Sequence, residues 1–396
     1  MHTLARAFLA GELNAQSAAA RAAALFATPP RWLPALAARF VAAFAGKTRP
    51  RFLHAVAFLQ AQPPRAAKLI NWLTEPAVMQ PVEAAKGWAL PSLTSTGELA
   101  TWLGLSIPEL EWLADLRGTA RPGHYHYQPV AKQSGAARLL EAPKPRLKAA
   151  QRQILRQILD LVPGHAAVHG FRRHRSIRTF AAPHAARPVV LRMDLRDFFP
   201  SISRTRVDAV FRTLGYPGPV AALLAGLCTT AAPTGGPLYR QPHLPQGAPT
   251  SPALANICFH RSDCRLAGLA AATGLQYTRY ADDLAFSGEF ISENLQARIG
   301  AIVLEEGFTL QYRKTRLMRQ SVRQHLAGLT VNAGCNVRRV DFDRLKATLH
   351  RCVQLGPRDE TRDALTGHVA FVESVNAARG RKLRALLERI QWTSHG

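Results

Sequence analysis

The sequence predicts an α+β fold in which helices cover one face of a sheet. Residues 188–330 alternate short apolar runs of strand type with longer runs of helical periodicity. The segment RPVVLRMDL predicts a strand that ends in Asp194, and YTRYADDLAFSG predicts two strands that form a hairpin. In SENLQARIGAIVLEEGF, Ile299, Ile302 and Val303 share one helical face. This order of elements is typical of an α+β fold.

The charge balance of the chain predicts a polyanionic partner. Its 396 residues include 51 Lys and Arg against 26 Asp and Glu, a formal net charge of +25, and the 47% of hydrophobic residues can form a folded core. Arg-rich codon use in a GC-rich genome accounts for the excess of Arg over Lys, but it does not account for the shortage of acids. A positive field of this size favours nucleic acid first and an anionic membrane surface second.

The cysteines and the N-terminus predict a cytoplasmic protein. The five scattered cysteines include no C-x-x-C pair, which argues against a zinc ribbon or a disulfide framework and fits a reducing compartment. Glu12 interrupts the apolar N-terminal stretch, so we expect no signal peptide. No run approaches the roughly 20 apolar residues that span a bilayer, and we expect no membrane partner.

The N-terminal segments predict short helices. Residues 1–92 form a basic extension in which prolines separate helical runs, and no motif there carries chemistry. Further on, Ser95 and Ser106 each begin an S-x-x-E capping box, which predicts two successive helices. Such a pair is compatible with a helix-turn-helix regulator or with plain packing helices. Packing is favoured, because the second helix carries Glu109 and Glu111 and no base for a major groove.

A basic block lies between these helices and the predicted sheet. Residues 131–187 hold 12 Lys and Arg against 2 acids, and GFRRHRSIRTF concentrates Arg172, Arg173 and Arg175. A solvated charged face is the usual explanation of such a run. At this density a surface that follows nucleic-acid phosphates is the favoured interpretation.

Three aspartates are candidates for a metal site. Asp194 ends one predicted strand, and Asp282 and Asp283 lie at the tip of the hairpin. If these strand ends are neighbours in one sheet, the three carboxylates converge, and Mg²⁺ prefers such hard oxygen ligands. Two ions there would activate an attacking hydroxyl and stabilise a leaving pyrophosphate. A solvated Asp pair in a turn is the alternative.

Five motifs, in this order and spacing, resemble the successive palm motifs of a reverse transcriptase. They are LRMDLRDFFPSIS (191–203), HLPQGAPTSPALANI (243–257), YTRYADDLAFSG (277–288), EEGFTLQYRKTRLMR (305–319) and HLAGLTVNAGCNV (325–337). The resemblance covers residues 130 to 390 and implies a right-hand polymerase with an N-terminal helical extension. It divides the chain into an extension, fingers with N-terminal helices, a palm with an antiparallel sheet and finger insertions, and a helical thumb: 1–92, 93–187, 188–330 and 331–396.

The resemblance implies roles for residues in these motifs. Asp194, Asp282 and Asp283, with the backbone of Leu195, match the ligands of two Mg²⁺ ions, for which Mn²⁺ is an alternative. Tyr280, the first residue of Y-A-D-D, belongs to the set that binds dNTP and template.

Other members of that set lie on either side of the hairpin. Phe199 matches the steric gate, a ring in the space that a ribonucleotide 2′-OH needs. Gln246 and Gly247 match the loop whose backbone approaches the nascent base pair, where a Cβ would collide. Lys314 is placed to meet the triphosphate or to protonate pyrophosphate, with a solvated lysine as the alternative. Two residues resemble the finger segment that grips triphosphate and template: Arg138 and Lys148.

Within the reverse transcriptases, the chain resembles the retron enzymes. FAAPH, residues 180–184, occupies an extra segment that ends A-x-x-H, with Phe180 where the family usually has Asn. LAG, residues 326–328, stands where the family carries V-T-G. The RNA-recognition candidates are His184, Gly328, Asn332, Arg172, Arg173, Arg175, Arg381 and Lys382.

The retron resemblance implies a specific activity and specific partners. The enzyme would bind a structured noncoding RNA and copy part of it into cDNA from dNTPs, primed by the 2′-OH of an internal guanosine. The product would be branched RNA–DNA (msDNA), in a phage-defence system with an accessory effector protein. The alternatives are an abortive-infection type of reverse transcriptase, active without template, a group II intron relative, and a non-catalytic RNA-binding protein on a polymerase fold.

Overall fold

The structure is a computed structural model that describes residues 1–392 with internal gaps. The gaps are residues 11, 27, 47–49, 51, 63–77, 119–122, 132–136 and 233–235, and residues 393–396 also lie outside the described part. Parts of the predicted extension and of the basic block therefore lie outside the described residues. The chain divides into two units, Met1–Ala77 and Val78–Gly396. The four domain ranges drawn from the sequence remain predictions.

The first unit contains four helices: α1 (His2–Leu9), α2 (Ala15–Ala23), α3 (Leu33–Ala43) and α4 (Phe52–Ala61). They pack around Phe8, Leu25, Phe40 and Leu59, all with no exposed surface. Asn14 begins α2, and its side chain accepts a hydrogen bond from the Ser17 backbone amide at 2.7 Å. The predicted short N-terminal helices are therefore present.

The second unit contains helices and strands in mixed order. Its helices are α5 (Thr96–Leu103), α6 (Ile107–Ala114), α7 (Pro145–Gln157), α8 (Ile177–Ala181), α9 (Arg204–Thr213), α10 (Gly218–Cys228), α11 (Pro237–Arg240), α12 (Ser251–Cys258), α13 (His260–Ala272), α14 (Glu293–Glu305), α15 (Arg339–Leu355), α16 (Arg362–Val375) and α17 (Ala377–Leu387). Its strands are β1 (Tyr125–Ala131), β2 (Ala137–Pro143), β3 (Val189–Asp194), β4 (Gln276–Tyr280), β5 (Asp283–Gly288), β6 (Arg316–Arg319), β7 (His325–Leu326), β8 (Leu329–Thr330) and β9 (Asn336–Val337). Within the described residues, no helix is long and apolar enough to cross a membrane.

The central sheet is antiparallel, with strand order β4-β5-β3-β6. On one face, Leu191 and Phe286 join the large core that the helices build. On the other face, Val190, Ala285 and Met318 join a second core with residues of α8, the β7-β8-β9 sheet and α15–α17. The predicted strand and hairpin are present. The sequence predicted helices on one face only, whereas C-terminal elements cover the second face as well.

The two helices that follow Ser95 and Ser106 pack in the core. The Ser95 and Ser106 hydroxyls accept hydrogen bonds from the backbone amides of Glu98 and Glu109, at 3.2 and 3.3 Å. Leu99, Leu110 and Leu113 are buried in the large core. These contacts support the packing interpretation over a helix-turn-helix regulator.

Candidate active site

The ends of β3 and β5 bring the three predicted carboxylates to one edge of the central sheet. Asp194, the last residue of β3, lies directly opposite Asp283, the first residue of β5. Two residues connect β4 to β5, and the first, Ala281, has φ +54°, so the chain reverses sharply. The Leu195 amide donates to the Asp282 carbonyl at 2.9 Å and ties this turn to β3. The turn Ala281–Asp282 is called the catalytic turn below.

Burial and the neighbouring negative charges raise the pKa of both Asp282 and Asp283. Burial raises the pKa of Asp282, and the charges of Asp194 and Asp283 raise it further. Burial also raises the pKa of Asp283, which Arg192 partly offsets. The Arg192 Nε donates to Asp283 Oδ1 at 2.9 Å. The carboxylates are thus close enough to repel one another, and the side chains of Arg192 and Lys314 offset part of their negative charge.

Lys314 lies at the candidate site and is paired with Asp194. Its Nζ lies 2.9 and 3.0 Å from the two carboxylate oxygens of Asp194. Within the described residues, no group of three or more His, Cys, Asp or Glu side chains is arranged as a finished metal site. The donor chemistry nevertheless fits a divalent ion, because three carboxylates at one sheet edge supply hard oxygen ligands. Lys314 supplies positive charge to Asp194 in this arrangement.

A buried arginine that the sequence did not single out holds the catalytic turn. Arg279 has no exposed surface, and its Nη1 donates to the Ala281 carbonyl at 2.9 Å. Its Nε and Nη2 donate to the two Asp263 oxygens at 2.8 and 2.7 Å, and Tyr277 donates to the same carboxylate. The signal in the sequence was an Arg inside a predicted strand of the hairpin, because a buried Arg is costly unless it has a charged or hydrogen-bonding partner.

The loop with Gln246 and Gly247 is fastened to β2 through Glu141. The Glu141 amide donates to the Gln246 carbonyl at 2.8 Å, and the Gln246 amide donates to Glu141 Oε2 at 3.2 Å. His243 Nε2 lies 3.1 Å from the same oxygen. Gly247 has φ +137°, and an added Cβ would lie 3.0 Å from the Glu141 carbonyl oxygen. The backbone conformation at residue 247 therefore requires glycine. The sequence motifs did not indicate that Glu141 and His243 hold this loop.

Two adjacent phenylalanines follow β3 in different environments. Phe198 is 3% exposed and packs against Phe259 and Phe308, with ring centroids 5.7 and 5.8 Å away. Phe199 and Tyr280 are half-buried. Phe198 is therefore a core residue, and Phe199 remains the candidate steric gate.

The Arg and Lys candidates within residues 131–187 lie at the surface or near it. Arg138 is exposed on β2, opposite Val130, and Lys148 is half-buried in α7. In the basic block, Arg172 Nη1 donates to the His165 carbonyl at 2.8 Å. Two residues of that block are exposed: Arg173 and Arg175.

His184 lies inside the protein. It has no exposed surface, and its ring nitrogens lie 2.7 Å from the hydroxyls of Ser287 and Thr278. No atom of its ring is available to RNA. The histidine joins the segment after α8 to β4 and β5, which is a structural role.

The pH dependence of stability tests that role. Burial, aided by the nearby charges of His169 and Arg187, lowers the pKa of His184 to about 3. An unfolded imidazole titrates near 6.5. Between these two pKa values the unfolded chain binds one more proton than the folded chain, so the free energy of unfolding decreases as the pH is lowered. In His184→Gln, we expect the slope of the unfolding free energy, measured in urea from pH 6 to 5, to decrease by about 1.4 kcal/mol per pH unit. An unchanged slope would show that His184 is accessible to protons in the folded state.

Of the C-terminal RNA-recognition candidates, two shape turns or loops and two are exposed on a helix. Ala327 and Gly328 have φ +45° and +85° and form the two-residue turn between β7 and β8. The Asn332 side chain accepts from the Gln324 amide at 2.9 Å and donates to two backbone carbonyls, so it braces its own loop. Two candidates on α17 are exposed: Arg381 and Lys382.

A basic cavity of about 530 Å³ lies where the small sheet meets α15 and α17. The arginines among its lining residues are Arg323, Arg338, Arg339, Arg344 and Arg379. Asp341 also lines it and is paired with Arg338 at 2.6 Å. The cavity therefore has a strongly positive lining, suited to phosphate groups.

Comparison with known proteins agrees with this architecture. Residues 130–331 match the family described as reverse transcriptase (RNA-dependent DNA polymerase). The antiparallel sheet with its surrounding helices has the right-hand polymerase fold.

Three relatives refine the assignment. The Retron Mx65 reverse transcriptase of Myxococcus xanthus is 42% identical over 306 residues, 75% of this chain and 72% of the relative. The Retron Mx162 reverse transcriptase of the same organism is 36% identical over 341 residues, 79% and 70% of the two chains. The Retron Ec86 reverse transcriptase of Escherichia coli is 30% identical over 310 residues, 76% and 91%. The chain belongs to the retron-type reverse transcriptases and is an RNA-directed DNA polymerase.

Proposed function

We propose that this enzyme copies part of a specific structured noncoding RNA into cDNA at the site formed by Asp194, Asp282 and Asp283. The observation that carries the proposal is the register of the central sheet, which sets Asp194 opposite Asp283 with Asp282 in the adjoining turn. We assign residues 93–187 to the fingers, 188–330 to the palm and 331–396 to the thumb.

The three aspartates, with the backbone of Leu195, would hold two Mg²⁺ ions, or Mn²⁺ in their place. When bound, such ions activate the attacking hydroxyl and stabilise the leaving pyrophosphate. Lys314 now neutralises Asp194 and has to leave it when the site is loaded. Its side chain is 58% exposed, so it is free to turn toward the triphosphate. There its ammonium would contact the phosphates and donate a proton to the pyrophosphate oxygen.

Phe199 would exclude ribonucleotides by filling the space of the 2′-OH. In Phe199→Ala, we expect the preference for dNTP over rNTP to fall by about 10- to 100-fold, because a pocket discriminates small groups by about 1–3 kcal/mol. The measurement is kcat/KM for dGTP and for GTP on one primed RNA. Phe198→Leu is the matched control: it is expected to lower stability and leave that ratio unchanged. Equal preference in the Ala variant and the wild type would remove Phe199 from the gate.

The RNA would be held through its phosphates by basic surfaces. Arg173 and Arg175 are exposed in the basic block, and Arg381 and Lys382 are exposed on α17. The basic cavity would take the backbone of a single-stranded or looped segment. RNA choice would then depend on the thumb, where Gly328 shapes the turn and Asn332 braces the adjoining loop.

The relatives, all named as retron enzymes, support a specific product. We propose priming from the 2′-OH of an internal guanosine to give branched RNA–DNA, in the cytoplasm, as part of a phage-defence system with an accessory effector protein. The polymerase activity does not depend on this assignment of the product and the partners.

The product can be tested directly. The gene is expressed with its flanking DNA, and total nucleic acid is resolved on a denaturing gel with and without RNase. We expect a short discrete DNA whose mobility shifts on RNase treatment. Long heterogeneous DNA without attached RNA would overturn the retron product and favour an abortive-infection type of enzyme.

A further inference from the structure

A short segment of the basic block is docked on the catalytic turn. The His169 amide donates to the Arg279 carbonyl at 2.8 Å, and Asn256 Nδ2 donates to the Gly170 carbonyl at 3.0 Å. A Cβ added at Gly170 would lie 2.4 Å from the Ala281 nitrogen. Glycine therefore allows the backbone of residues 169–171 to lie directly against the turn that carries Asp282.

Phe171, the next residue, combines two unfavourable features. Its φ is +60°, in the left-handed region that residues with a Cβ rarely adopt. The residue is also 48% exposed, although a large apolar residue is normally buried. An Asn or Gly would fit this backbone with less strain. Strained residues of this kind gather at functional sites, and here the strain places an aromatic ring in solvent.

The ring of Phe171 completes an aromatic strip with Phe199 and Tyr280. Its centroid lies 6.1 Å from the Phe199 ring and 6.5 Å from the Tyr280 ring. Phe199 follows the strand that ends in Asp194, and Tyr280 precedes the catalytic turn. The aromatic strip therefore extends from the candidate steric gate to the catalytic turn.

The chemistry of the aromatic strip defines its occupant. Phe171 has no donor or acceptor for a phosphate, whereas its face can stack on a base or on the apolar side of a sugar. The nucleotide that carries the attacking hydroxyl has to lie beside Asp194, Asp282 and Asp283. That nucleotide is the terminal nucleotide of the primer strand.

We propose that Phe171 is a primer-positioning residue that packs on the terminal nucleotide and holds its hydroxyl at the carboxylates. The proposal rests on the active site proposed above. It assigns a substrate contact to the basic block beyond phosphate binding. It also explains why an exposed ring is kept on an unfavourable backbone.

The test separates substrate contact from packing. An RNA template with an annealed DNA primer is extended by Phe171→Leu, which lacks an aromatic face, by Phe171→Asn, which suits a positive φ, and by Phe171→Tyr. We expect KM for the primed template to rise about 5- to 100-fold in the Leu and Asn variants, as expected for the loss of one stack. The Tyr variant should restore the wild-type KM, and kcat should change much less than KM. The melting temperature of the Asn variant should equal or exceed that of the wild type.

Two controls keep the outcomes distinct. Phe290 is 73% exposed beyond β5, and Phe290→Leu should leave KM unchanged. Asp282→Asn should remove synthesis while primed template still binds. Wild-type KM in both the Leu and Asn variants would overturn the role of Phe171, as would a loss that only parallels a lower melting temperature. Synthesis by Asp282→Asn would instead refute the active site itself.

Discussion

Changing Asp282 and Asp283 together to Asn is expected to lower cDNA synthesis at least about a thousandfold, because metal binding at such a site supplies several kcal/mol of transition-state stabilisation. The two residues lie where β4 turns into β5, and Asp283 faces Asp194 across the sheet. An amide keeps the shape of the side chain and removes the charge that a divalent ion needs. Primer extension on an RNA template measures the loss.

Binding and folding provide the controls for this prediction. The double variant should bind template RNA with an affinity close to that of the wild type, since the basic surfaces are unchanged. Asp343→Asn removes an acid whose side chain is 59% exposed on α15, and it should extend primers normally. Retained synthesis in the Asp282 and Asp283 variant would show that the chemistry lies elsewhere.

Replacing Arg279 with Met is expected to lower the free energy of unfolding by about 3–5 kcal/mol, because it leaves the Asp263 carboxylate buried without its partner. Neither side chain of this pair has any exposed surface. The Ala281 carbonyl in the catalytic turn would also lose its hydrogen bond from Arg279. The folded fraction of the variant should therefore synthesise cDNA more slowly than the wild type. Urea unfolding and primer extension measure the two effects.

An exposed ion pair serves as the matched comparison. Arg338 and Asp341 are 53% and 44% exposed, so Arg338→Met should change stability by no more than about 1 kcal/mol. A similarly small effect of Arg279→Met would mean that water or another group compensates Asp263. In that case Arg279 would not be the residue that holds the turn.

Local patterns predicted the centre of the fold well. The strand before Asp194, the hairpin around Asp282 and Asp283, and the two capped helices all depend on neighbours within a few residues. The meeting of Asp194 with Asp283 followed once both strand ends were placed in one sheet. These are the features that short-range periodicity and turn chemistry determine.

The supports of the site depend on contacts between distant segments. Glu141 and His243 lie 102 residues apart in sequence, yet they meet under the loop that carries Gln246. Lys314 reaches Asp194 across 120 residues. His184 was proposed as an RNA contact from its motif, but packing against β4 and β5 buries it completely. No local pattern carries information of this kind.

The most direct test of the proposed active site is the position of bound metal. Crystals of the full chain with an RNA template, a DNA primer, a non-reactive dNTP analogue and Mn²⁺ would locate the ions by anomalous scattering. We expect two Mn²⁺ peaks about 3.5–4 Å apart, contacted by Asp194, Asp282 and Asp283, with the Lys314 ammonium no longer bonded to Asp194. Mn²⁺ peaks away from these carboxylates, with Lys314 still paired to Asp194, would contradict the account.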